Sequence, residues 1–147
     1  MFNTILIPID LAHESSWRTA LPVAVQHARH EGAKLHVLTV VDLNLDVTAV
    51  VMPSDFNRQY QSKTEQRLSA LVKNQVPDDL SVQYWVRDGR VYHEILSAAD
   101  EVGADLIVLA SHRPSFKDYL LGANAARVVR HANCSVLVVR NSNAPAP

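Results

Sequence analysis

The chain has 147 residues, 48% of them hydrophobic and 20% charged, a balance that belongs to one globular domain with a full core and excludes a chain that stays disordered. Its 14 basic and 15 acidic residues leave a net charge of -1, so there is no general attraction to nucleic acid or to an anionic membrane surface. The single cysteine, Cys134, excludes an internal disulfide, and no apolar run approaches the roughly 18 residues of a membrane span. Together with a Met1-Phe2-Asn3-Thr4-Ile5 start that lacks the basic and apolar regions of a signal peptide, this predicts a cytoplasmic protein without membrane insertion.

Ile5-Leu6-Ile7-Pro8-Ile9 is a short, nearly unbroken apolar run, the pattern of a strand buried on both faces, and Asp10 follows at its carboxyl end. Ser15 and Ser16 are both suitable caps for the next helix, whose apolar positions Ala20, Val23, Ala24 and Ala28 close at Gly32. Pro22 within its first turns predicts a late start or a kink. A second strand, Leu35 to Val41, is dominated by β-branched residues and ends at Asp42. No period holds from Leu43 to Ser54, so that stretch reads as a connection over the carboxyl edge of the sheet. Helical spacing returns from Asp55 to about Asn74 and breaks at Pro77-Asp78-Asp79.

Ser81 to Val86 alternates apolar and polar residues as an edge or half-covered strand does, and Asp88-Gly89 makes the turn after it. Val91, Ile95, Leu96 and Ala99 give a short amphipathic helix ending near Gly103. Leu106 to Ala110 is a strand, Ser111-His112-Arg113-Pro114 a polar loop, Leu120 to Asn124 the opening of a helix, and Val136 to Val139 the last strand. The order predicts a single-domain α/β fold over residues 1–140: a five-stranded, parallel, doubly wound, Rossmann-like sheet with helices on both faces. The polar, Pro-rich residues 141–147 read as a disordered tail.

In such a sheet ligands bind at the carboxyl ends of the strands. Asp10 and Asp42 stand there, and each suits either a ligand contact or a loop start through local hydrogen bonds. Ser111, His112 and Arg113 share that edge; Arg113 offers a phosphate a forked, charged contact or is simply a solvated loop arginine. His112 has the chemistry of a general base, yet no serine or cysteine nucleophile with a recognisable elbow accompanies it, so no catalytic residue is assigned. Gly122, one of 4 glycines, sits where loop becomes helix, and without a Cβ it either lets a phosphate approach the N–H groups of Ala123, Asn124 and Ala125 or serves only backbone geometry or helix packing. Neither Gly-x-x-x-x-Gly-Lys-Ser/Thr nor Gly-x-Gly-x-x-Gly is present.

His27, His30 and His131 lack a metal-binding spacing, so no metal site is expected. Cys134 reads as a small buried hydrophobe, and Trp17 and Trp85 as cover for apolar surface. Arg127, Arg130 and His131 read as cations complementing the dipole of the last helix.

The segments ending in Asp10 and Asp42, and above all Ala110 to Arg140, resemble the universal stress proteins, in particular their ATP-binding branch, and the likeness spans Phe2 to Arg140. The resemblance implies a five-stranded α/β fold, a homodimer joined through the last strand, and a nucleotide held by Gly-x-x-Gly-x9-Gly-Ser/Thr. On this chain the four motif positions fall on Ala110, Arg113, Gly122 and Ala123, with one residue fewer before Gly122, so a single position is kept. A phosphate held by backbone N–H groups needs no hydroxyl at 123; its loss removes one hydrogen bond, about 0.5–1.5 kcal/mol.

By the same resemblance Asp10 meets the ribose or phosphates and the backbone of Val40 the adenine. The implied contacts are Pro8, Asp10, Val40, Ala110, Ser111, His112, Arg113, Gly122, Ala123 and Asn124, with ATP, alone or with magnesium, as ligand. The expected function is that of an ATP-binding regulatory protein whose nucleotide state controls assembly or contacts with a protein partner. A transporter and an oligomer beyond the dimer stay open, as do two alternatives: a slow ATPase or self-modifying transferase using Asp10 or His112, and a nucleotide-free dimeric module.

Overall fold

The computed structural model describes residues 1–41, 54–111 and 122–140, the last two segments without the side chains of 54–57, 122 and 123. Five strands, β1 (Thr4–Ile9), β2 (Lys34–Val41), β3 (Val82–Asp88), β4 (Leu106–Ala110) and β5 (Ser135–Val139), form one parallel sheet in the order β3-β2-β1-β4-β5. Among the described residues four α-helices connect these strands: α1 (Ala20–Glu31), α2 (Ser54–Gln75), α3 (Val91–Val102) and α4 (Gly122–His131). The chain steps outward from β1 through β2 to β3, then crosses back to the other side of β1 for β4 and β5. With right-handed crossovers, that reversal puts α1 and α2 on one face and α3 and α4 on the other.

The apolar runs are buried as their composition requires. Ile5, Leu6, Ile7, Leu35, Val37, Leu38, Ile107 and Val108 are fully enclosed, each burial worth about 1.5–3 kcal/mol. Alternate side chains of the central strands serve two cores. Ile5, Ile7, Leu35, Val37 and Val108 pack with Ala24 and Ala28 of α1 and Leu68 and Val72 of α2. Leu6, Leu38, Ile107 and Leu109 pack with Ile95 and Ala99 of α3 and Ala125 and Val128 of α4.

The expected serine cap of α1 is not formed. The helix begins only at Ala20, after a 3-10 turn Glu14–Ser16, and Thr19 at its N-cap makes no side-chain capping bond. Ser16 is drawn instead to the loop behind it, and Pro22 falls in the first turn, where a missing N–H costs least. Gly32 closes the helix in the left-handed conformation, φ 67°, as expected of a C′ glycine. β3 is an edge strand, as its alternation predicts, and β5 is the other edge; Asp42, the 43–53 connection, His112, Arg113 and the 141–147 tail lie outside the described residues.

Trp85 does more than cover apolar surface. Its Nε1–H donates to Nδ1 of His36 at 2.9 Å, and the two rings stack with centroids 6.1 Å apart. Because an indole only donates, Nδ1 must be unprotonated and His36 is held as the neutral ring. Burial, and secondarily Lys34, lowers the His36 pKa below its usual 6.5. The unfolded chain therefore takes up a proton as pH falls below about 6.5 while the folded chain resists it, so this contribution to stability is complete above that value and is lost below it. Urea unfolding at pH 7 and pH 5 should show a lower midpoint at the acid value, with the His36 share of the decrease abolished in His36→Gln, which cannot titrate.

Candidate functional site at the carboxyl edge

The site is created by the way β1 treats its two neighbours. Against β2 its ladder runs from Thr4↔Lys34 to Ile9↔Thr39, the whole strand. Against β4 it holds only Ile5↔Leu106 and Leu6↔Ile107. Pro8, with no N–H to donate, lies two residues beyond the last pair with β4. Past Leu6 the two strands find other partners. The buried Thr39 hydroxyl donates to the Ile9 carbonyl at 3.0 Å, fastening β1 to β2, while Ser111 N–H donates to Val139 O at 2.9 Å, fastening the end of β4 to β5. The gap between β1 and β4 coincides with the reversal of strand order, the place where doubly wound sheets receive ligands.

Asp10 stands on one side of this gap and begins a tightly tied turn. Its Oδ1 accepts from Ala12 N–H at 2.9 Å, its Oδ2 lies 2.9 Å from Nδ1 of His13, and His13 N–H donates back to Asp10 O at 3.0 Å. Ser16 Oγ accepts from Asp10 N–H at 2.8 Å and has the carbonyls of Asp10 and His13 at 2.9 and 2.7 Å, between which its one proton is shared. Arg67 of α2 reaches the same turn, Nη2 to Leu11 O at 3.3 Å. The two readings of Asp10 thus coexist, since a carboxylate that organises the loop is also 56% exposed at the mouth of the gap.

Ala110 and Ser111 close β4 on the other side, Ser111 buried to 8% exposure. Val40 is the penultimate residue of β2, one residue past the final β1 pair and opposite Arg87 of β3. α4 starts at Gly122 and ends beside Ala132 to Ser135, where β5 begins at the amino edge, so its first-turn N–H groups at Gly122, Ala123 and Asn124 are presented at the carboxyl edge. Pro8, Asp10, Val40, Ala110, Ser111 and the α4 N-terminus therefore share one edge. His13, Ser16 and Arg67 join them, and sequence reasoning did not single them out for this edge. His13 and Ser16 lie three and six residues after a strand-end aspartate, a weak signal that only the loop's fold makes specific.

Other residues fall elsewhere. Arg127 has a further partner: its guanidinium sits 4.8 Å from the Tyr92 ring centroid and ties α4 to α3, a cation–π contact. Arg130 and His131 do occupy the last turn. A cavity of about 210 Å³ lined by Leu96, Asp100, His131 and Cys134 lies at the opposite, amino edge. Burial, then Asp100 and Asp105, pushes the Cys134 thiol pKa up, so it stays a protonated thiol rather than a nucleophile. Among the described residues no group of three or more His, Cys, Asp or Glu side chains could hold a metal, and no helix is long and apolar enough to cross a membrane.

The family model described as the universal stress protein family matches residues 1–140. The chain belongs to that family. It is 34% identical over 143 residues to universal stress protein G of Escherichia coli O157:H7, covering 95% of this chain and all of that protein. Its fold superposes on that of the hypothetical protein MJ0577 with a TM-score of 0.76 at 22% identity, covering 98% of this chain and 99% of the other. A universal stress protein in complex with cAMP superposes with a TM-score of 0.63 at 25% identity, covering 96% and 98%.

Removing the Ser16 hydroxyl tests how firmly the turn is held. Ser16→Ala should lower the unfolding free energy by about 1 kcal/mol, read from urea denaturation at pH 7, because it leaves Asp10 N–H without its partner.

Proposed function

We propose that this universal stress protein binds ATP, alone or with magnesium, at the gap between β1 and β4, and that the bound nucleotide controls its assembly or its contacts with a protein partner in the cytoplasm. The observation that carries this reading is the coincidence of an interrupted β1–β4 ladder with the strand-order reversal and the N-terminus of α4 at one edge. Oriented N–H groups and a positive dipole end favour phosphate there. A universal stress protein of the same fold being found with cAMP supports a nucleotide over a simple anion. The proposed contacts are Pro8, Asp10, Val40, Ala110, Ser111, Gly122, Ala123 and Asn124, together with His112 and Arg113 outside the described residues. Their makeup favours holding a ligand over transforming it, since among the described residues no nucleophile activated by a base is seen at this edge.

Isothermal titration with ATP and magnesium checks the reading. Binding in the micromolar to millimolar range is expected, and Gly122→Val should weaken it at least tenfold, about 1.4 kcal/mol, by placing a branched side chain at the first turn of α4. Absence of binding at millimolar ATP would refute the assignment.

The assembly half of the proposal rests on β5. Val136 to Val139 are only partly covered although all are apolar, and an edge strand of that kind pairs readily with a second copy. Sedimentation at micromolar concentration should give twice the monomer mass, and Val138→Lys should shift it toward the monomer; a transporter is one candidate partner for the assembled form.

A further inference from the structure

We propose that His36 and Trp85 form an acid-operated latch on the outer strand β3: the neutral imidazole holds the indole against the sheet, and the protonated one releases it at the free edge while the rest of the fold persists. The latch does not depend on the nucleotide reading. It is a local opening, distinct from the loss of global stability with acid, and it bares apolar surface at the edge of the sheet opposite β5.

Alternation and register build the pair. His36 and Leu38 of β2 and Trp85 of β3 lie on the α3–α4 face, and because Leu38 is paired with Trp85 and His36 with Gln83, the indole reaches diagonally across to the imidazole. The planes of the two rings are inclined by 23°, and Nε1–H points at Nδ1 over 2.9 Å. A proton on Nδ1 removes that acceptor and sets two donors against each other. It also places a cation on a residue only 6% exposed, and both influences on its charge, burial first and the Lys34 ammonium second, oppose it. A charge held there without a carboxylate is relieved by opening the site to water.

The strand that would open is the shallow one. β3 is bonded to β2 alone, and every one of its residues keeps some exposure: Val82, Trp85, Val86 and Arg87 are half-buried, and Gln83, Tyr84 and Asp88 are exposed. β1, β2 and β4 each hold fully enclosed side chains, so their opening costs far more. The charged groups on the surrounding elements are few. β1 brings none, β2 brings Lys34, β3 brings Asp88 and Arg87, the latter closed on Glu101, and α3 adds Asp100, Glu94 and His93. Of these and His36, only the two histidines change charge between about pH 5 and 8. His93 is 71% exposed with Nδ1 3.5 Å from Glu94, where a proton requires no opening.

Nuclear magnetic resonance of the ¹⁵N-labelled protein, from about pH 7.5 to about pH 5, tests the latch. The indole N–H signal of Trp85 is told from that of Trp17 by its absence in Trp85→Phe. At the acid end it should exchange with water about tenfold faster than in His36→Gln at the same pH, with tryptophan emission shifted to longer wavelength and far-UV circular dichroism retained. His36→Gln, whose amide oxygen accepts from the indole without titrating, should stay closed throughout, and His93→Gln should open as the wild type does. Equal exchange in the wild type and His36→Gln, loss of the opening in His93→Gln, or loss of circular dichroism together with the Trp85 signal overturns the latch. If His36→Gln does not fold, the ring ¹⁵N shifts of His36 in the wild type decide: they must move at the same midpoint as the exchange of Trp85, and separate midpoints overturn the proposal.

Discussion

β1 is the strand from which the chain departs in one direction and to whose other side it later returns, and every feature of the carboxyl edge depends on how it is bonded there. Along β2 its backbone is satisfied to the last residue; along β4 it is satisfied for two. On its other edge β4 is paired with β5 along its whole length, from Leu106↔Ser135 to Ala110↔Val139, and the Ser111 to Val139 bond extends that pairing. The gap is therefore flanked by strands that are each fastened to an outer neighbour, β1 to β2 and β4 to β5.

The loop after β1 is held by a different means. Asp10, His13 and Ser16 bond to one another and to the surrounding backbone within seven residues, and Arg67 of α2 adds a bond to Leu11 O from outside. This explains why the serine that suits a helix cap is absent from that position. The hydroxyl has three partners in the turn against one orphan N–H at the helix, and α1 begins later, where Ala20 and Leu21 are fully buried. Local polar bonding and core packing thus divide residues 10–21 between them.

The two faces differ in how they are fastened. The α1–α2 face is packed by apolar side chains with the buried hydroxyls of Thr39 and Thr64 bonded to backbone carbonyls, whereas the α3–α4 face adds the His36–Trp85 hydrogen bond and the Arg127–Tyr92 contact to its packing. The first draws the outer strand β3 to β2, and the second joins the two helices across the reversal. These polar and cationic fastenings lie on the face that carries α4, whose N-terminus faces the proposed ligand.

The sequence by itself determined the strand and helix order, the parallel sheet and its carboxyl-edge candidates, because runs such as Ile5 to Ile9 and Leu106 to Leu109 are too apolar to be anything but buried and each is followed by a helix-period segment. It also marked Asp10 and Gly122, since residues at strand ends and helix starts are fixed by local chemistry. Tertiary structure alone decided which strands border the gap, that Thr39 and Ser111 fasten its sides, that His13 rather than a distant group faces Asp10, and that Trp85 and Arg127 find polar and aromatic partners. Each of these joins residues far apart in the chain or on opposite sides of a turn, and periodicity carries no information about contacts that only the folded backbone brings within hydrogen-bonding distance.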